Sequence, residues 1–446
     1  LAHVVQSARS GLTMRKVGGR RLGRGAMVNR AWGNVWGYDG SAGDVDWSWD
    51  YHIMINEFRR RPQICGWLYT EHHDVINEWN GYWRYDRSRK FTGLSDLASE
   101  MTMRDLHAPF YIASDRELCR TVAPGEVVEV PLFASFMTDE DVGSELSLEM
   151  ELWGWNSLGT RQIYWRGNRA IPYRPWMNKE LATQSIAMPN EVALTVLTFT
   201  LKDAAGGVLH RNFTTYHVHS GPAARDEVLN VGANKARVLR FSPSSFRDAR
   251  WSLKQWDVLD GLKSNGAGHG YFEYVVPWPS DLRPSDIAQA NLCMELSAKQ
   301  LFGKDREGAT QRDGDFMRGK GTHDPSSNPN SYPMSDEQRF PSMVRIRVSG
   351  QSIATFHLPD DSADHRGILS WHNQKRDRRL REAGSYGLLA NARIPHQALR
   401  EACATKQLVI RLEVDDGVDG GVAVYGEQFG RFPLDPSVVF ILDDKE

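Results

Sequence analysis

The sequence is poor in cysteine: Cys65, Cys119, Cys293 and Cys403 stand singly, with no CxxC pair and no metal-type spacing. They are expected to be buried small hydrophobes rather than a disulfide framework, which leaves the redox compartment open. A charge excess is also missing. With 54 basic and 56 acidic residues, the chain lacks the electrostatic footprint of a nucleic-acid or anionic-membrane partner. No run approaches the roughly 18 consecutive apolar residues of a membrane span, so no membrane partner is expected. Acidic residues are absent altogether from residues 1–30, which hold seven Lys/Arg and five Gly. That composition suits a transit peptide but has no apolar secretory core. Residues 1–30 are expected to be disordered, outside any folded domain. Localisation and oligomeric state stay open.

What is present begins with length. The 446 residues call for roughly two to three domains. Fifteen tryptophans suit large cores, and they also suit stacking on the apolar faces of sugar rings. Residues 43–61, "GDVDWSWDYHIMINEFRRR", predict a helix capped by Asp44 or Asp46, with an apolar face of Ile53, Ile55 and Phe58, stopped by Pro62. "ICGWLYTE" (64–71) then predicts a short buried parallel strand. This is α/β grammar, in which chemistry gathers at the C-terminal ends of strands.

After about residue 105 the pattern turns to β. In "LSLEMELW" (146–153), Leu146, Leu148, Met150 and Leu152 alternate with Ser147, Glu149 and Glu151. Strands are expected at 125–136 and 191–203, and the "AAGG" turn (204–207) predicts a hairpin with the segment after it. A polar connection at 220–228 separates this region from a second β region, with strands at 343–350, 351–358 and 407–414. Between them lies a long polar loop, 303–341.

"ICGWLYTEHHDVINEWNGYWRYDRSRKF" (64–91) and "GNVWGYDGSAGDVDWSWDYH" (33–52) resemble the eighth strand and the post-seventh-strand segment of the catalytic barrel in glycoside hydrolase family 2. The resemblance implies a mainly β, multidomain chain. Residues 31–104 would be the C-terminal remnant of a (β/α)₈ barrel. Residues 105–221 would form an immunoglobulin-like β-sandwich, and 222–446 a galactose-binding-like jelly-roll. It also implies a carbohydrate partner and retaining O-glycosidic hydrolysis by two carboxylates. The acid/base motif follows the fourth strand, which is not found here. The nucleophile motif falls on Asn29 to Gly33, where Ala31 takes the nucleophile position. The expectation is therefore an inactive chain, with a non-catalytic carbohydrate-binding or scaffolding protein as the alternative.

The resemblance makes Trp36, Tyr38, Tyr69, Glu71 and Asp74 pocket-lining residues, with Glu71 the one carboxylate at a strand's end. Glu78, in "NEWN" (77–80), repeats the Asn-Glu dipeptide of the acid/base but follows the wrong strand. His72 and His73 are adjacent and diverge, so no metal is expected there. His217 and His219 share one face of a strand. In the C-terminal region, Asp360, Asp361, Asp364, His365, Arg366, Trp371 and Arg431 combine planar hydrogen-bonding groups with an aromatic ring. Three readings fit them: turn residues with internal ion pairs, sugar contacts, or Ca²⁺ ligation. A lone parallel pair also leaves apolar faces to cover, so residues 1–100 are expected to be the least stable part.

Overall fold

The computed structural model describes residues 27–443 except 33–47, 70–71, 74–80, 84–86, 88, 90–91, 115–118, 220, 222, 232–233, 259, 300–340, 359–386, 419, 428, 431 and 433. The described chain is mainly β, arranged in several sheets.

It opens with a βαβ unit. Strand Met27–Trp32 lies parallel to strand Ile64–Tyr69, with Asn29 opposite Trp67 and Trp32 opposite Tyr69. Parallel neighbours need a crossover, and helix Ser48–Arg59 falls between them. The strand thus reaches back to Met27, inside the segment 1–30 expected to be disordered. Backbone pairing to the second strand is what orders it. The helix buries Tyr51, Met54, Ile55 and Phe58, an i, i+3, i+4, i+7 stripe. Ile53, expected on that face, is only half-buried. The strand 64–69 is not the fully buried one expected: Leu68 is 60% exposed, and among the described residues the pair has no third strand beside it. Cys65 is likewise exposed, while Cys293 is buried.

Two layered β regions follow. In the first, a five-stranded sheet runs in the order 119–122, 208–218, 193–202, 145–156, 161–172. Facing it are a three-stranded sheet (110–113, 133–136, 178–180) and a two-stranded one (184–187, 127–130). Ile112, Val128, Val130, Leu148, Leu152 and Phe199 close the core between them. The predicted alternation holds, with Leu146, Leu148, Met150 and Leu152 all buried. Strands Ala193–Lys202 and Val208–Val218 form the predicted hairpin. The expected strand 125–136 is broken into Val127–Val130 and Phe133–Phe136, since Pro131 between them has no N–H for a ladder.

The second region packs an eight-stranded sheet, built around strands 287–297, 422–425 and 437–442, on a five-stranded one ordered 246–251, 270–277, 407–414, 342–348, 351–358. Leu292, Leu296 and Phe440 meet Phe272, Ile346 and Leu412 in the core. The two β regions touch directly. Trp155 stands edge-on to Phe432 with ring centroids 4.9 Å apart, and the Cys293 thiol donates to the Leu158 carbonyl at 3.4 Å.

Candidate functional site

The parallel pair ends at Trp32 and Tyr69, and an aromatic cluster stands at Tyr69. Tyr51 from the helix meets Tyr69 edge-on at 4.9 Å, and Tyr82 lies 4.9 Å from Tyr69. Tyr51 Oη lies 2.9 Å from Tyr82 Oη and 2.5 Å from His107 Nε2, and Tyr82 Oη lies 3.0 Å from the same nitrogen. Loss of hydration, then the neighbouring Tyr82, holds the Tyr51 phenol far above its ordinary range. Burial pushes Tyr82 up to about 12. His107 keeps an exposed edge, but its ring lies among the two tyrosines. Burial there, aided by the charge of Arg59, lowers its pKa to about 4. At neutral pH the trio is two phenols and a neutral imidazole, a set that donates and accepts hydrogen bonds without carrying charge.

Below it, the Arg59 guanidinium lies 4.8 Å from the Trp67 ring and 5.0 Å from Tyr111, and donates to the Ala108 carbonyl at 2.6 Å. His52 donates from Nε2 to Asn212 Oδ1, and Asn212 Nδ2 donates to the Ile112 carbonyl at 2.7 Å. These contacts lock the helix onto the first β region, which fixes Tyr51 against Tyr69.

Of the residues singled out from sequence, the structure brings Tyr69 into this cluster and places Ala31 in the neighbouring strand. Trp36, Tyr38, Glu71, Asp74, Glu78, Asp360, Asp361, Asp364, His365, Arg366, Trp371 and Arg431 lie outside the described residues. His217 and His219 do share a strand face, their rings 4.9 Å apart. Burial and then His219 lower His217 to about 4. Among the described residues no group of three or more His, Cys, Asp or Glu could hold a metal ion.

A second feature lies on the outer face of the five-stranded sheet, in a cleft of about 550 Å³. Its floor carries Glu149, Glu151, Trp153, Thr198 and Thr200, and its walls include Ser95, Asp96, Arg161, Arg166 and Arg211. Glu151 pairs with Arg166 at 2.7 Å, Glu149 with Lys202 at 2.6 Å, and Arg211 with Glu100. Arg161 lies over the Trp153 ring, its guanidinium carbon 4.1 Å from the ring centroid. Sequence reasoning passed over this cleft. The signal available was the alternation that sets Glu149 and Glu151 opposite the apolar face of the strand.

No family model matches the chain, and no curated protein matches it. Among solved structures, the chain is similar to a family GH115 4-O-methyl-α-glucuronidase with specificity for decorated arabinogalactans (7% identity, TM-score 0.21, covering 51% of this chain and 19% of that one). It is similar to the N-terminal CBM22-1–CBM22-2 tandem of Paenibacillus barcinonensis Xyn10C (9% identity, TM-score 0.21, 74% and 91%). It is also similar to a Bacteroides uniformis β-glucuronidase (12% identity, TM-score 0.20, 94% and 41%). The chain spans about a fifth of the first of these proteins and less than half of the β-glucuronidase.

Proposed function

We propose that the chain is a C-terminal portion of a glycoside hydrolase family 2-type protein, one that holds carbohydrate and does not cleave it unaided. The observation that carries this reading is the parallel pairing of strands 27–32 and 64–69 through helix 48–59. It sets the strand bearing Ala31 beside the strand that ends in Tyr69, the adjacency the resemblance implies for the last two barrel strands. Retaining hydrolysis needs two carboxylates about 5–5.5 Å apart. A methyl group at position 31 can neither form a glycosyl ester nor stabilise an oxocarbenium ion. The described cluster beside it offers phenols and a neutral imidazole, which suit hydroxyl recognition and stacking rather than acid–base cleavage. The division into 31–104, 105–221 and 222–446 belongs to the same proposal.

The alternative, a binding or scaffolding protein with no catalytic parent, draws support from the polar, Trp-floored cleft on the sheet. The first test is turnover of aryl β-glycosides by the intact chain, expected to stay at the buffer rate. Turnover that disappears in Glu71→Gln would overturn the non-catalytic reading. A glycan array is the second test, with binding expected. Failure to bind any glycan would remove the carbohydrate reading itself.

A further inference from the structure

We propose that the cleft on the outer face of the 145–156/161–172/193–202 sheet binds an acidic saccharide, with Arg161 taking its carboxylate. This reaches beyond the function proposed above, because the cleft is separate from the aromatic cluster at the end of the parallel pair.

The argument starts from charge pairing. Arg166, Lys202 and Arg211 each have a carboxylate partner, in Glu151, Glu149 and Glu100. Arg161 has no carboxylate partner among the described residues and rests over the Trp153 ring. A cation–π contact restrains the guanidinium over the ring without using up its N–H donors. A planar, restrained fork suits bidentate capture of a carboxylate.

The remaining surface suits a sugar rather than a bare anion. Thr198 and Thr200 are half-buried in the floor, and Ser95 and Ser99 are exposed in the wall. Thr198 Oγ1 donates to the Glu151 carbonyl at 3.3 Å, leaving its lone pairs to accept. Glu149 and Glu151 keep further acceptor positions beyond those their cations use. Hydroxyls both donate and accept, so they match this mixture, whereas a bare inorganic anion can only accept and leaves the carboxylate acceptors unused. The volume falls within the roughly 300–1,000 Å³ of ordinary ligand sites.

Calorimetric titration of the full chain tests the proposal with three probes: tetragalacturonate, a hyaluronan tetrasaccharide, and the methyl ester of the first. At least one acid is expected to bind, and the ester at least about tenfold more weakly than its parent acid, as loss of a charged hydrogen-bonded contact predicts. Arg161→Ala should lose a similar factor for the acid and little for the ester. Arg161→Lys should recover part of the loss, since an ammonium keeps the charge but not the fork. Thr200→Val should weaken acid and ester alike. A melting curve matching the parent protein establishes that each variant is folded; if Arg161→Ala does not fold, Arg161→Lys and the acid-to-ester ratio still decide. Binding of neither acid, equal affinity for acid and ester, or an Arg161→Ala variant with parental affinity would each overturn the proposal. So would displacement by sodium sulfate at equal concentration at constant ionic strength, which would mark a site that reads charge alone. Glycoside turnover would sink the non-catalytic reading and leave this result standing, so the two fail separately.

Discussion

His52 and His210 are fully buried, and both are kept neutral. Burial lowers His52 to about 4, and burial with the nearby Arg59 charge lowers His210 to about 3, from an ordinary 6.5. Each has a definite neutral-state role. His52 donates to Asn212, and His210 Nδ1 donates to the Asp105 carbonyl at 3.1 Å. As pH falls below 6.5 the unfolded chain takes up protons that the folded chain refuses. The stability these residues confer is therefore whole above 6.5 and drains away toward 4 and 3. Well below 6.5, each costs about 1.4 kcal/mol per pH unit. Urea midpoints should hold steady from pH 8 to 7 and drop clearly between pH 6 and 5. An unchanged midpoint at pH 5 would mean these imidazoles are protonated in the fold. None of this was legible in the sequence: the histidines come from separate segments, and only tertiary packing removes them from water.

At the scale of elements, legibility follows how local the determining pattern is. Strand Glu145–Asn156 and the hairpin 193–218 were readable because alternation and turn residues lie within one short window. The strand Met27–Trp32 was not, because its order comes from a partner far along the chain rather than from its own Arg- and Gly-rich surroundings. The cleft was hidden for the same reason. Trp153 and Arg161 are brought together only by the pairing of two strands, and a register shift after Leu152 decides which residues face each other. Of the candidate site, Tyr69 was indicated by the family resemblance, while Tyr51, Tyr82 and His107 needed the packed helix to declare themselves.

Gly154 in the same strand is a position where an element tolerates no side chain. A Cβ there would lie 2.2 Å from the Leu194 carbonyl oxygen and 2.7 Å from the Thr195 Cα. Both are backbone atoms of the paired central strand, so neither can rotate away. Gly154→Ala should force the two strands apart and cost about 3 kcal/mol or more, at the upper end for overpacking. Thermal melting measures it, and a variant within about 0.5 kcal/mol of the parent would show that the strands separate easily.

For the whole molecule, the informative feature is a core that no single segment owns. Tyr51, Ile55, Leu94 and Leu97 share one cluster with Trp153, Leu194 and Phe213 of the first β region and with Val258, Tyr425 and Phe429 of the second. Ile64 of the parallel pair joins this cluster, with Trp67 and Tyr69 packed against it. A fragment of residues 222–446 should accordingly expose Val258, Tyr425 and Phe429, bind a hydrophobic dye strongly and aggregate, whereas the full chain should not. A dye-silent, monodisperse fragment would show that the second region is self-sufficient.

That joint core also bears on how such a chain can change over generations. Beads on a string can be shuffled by recombination at their linkers, each bringing its own finished surface. Here a breakpoint near residue 221 would hand each descendant half of a hydrophobic seam, Trp155 without Phe432 and Leu158 without Cys293. The two β regions are therefore expected to be inherited together, and to drift by paired substitutions across the seam rather than by exchange of parts.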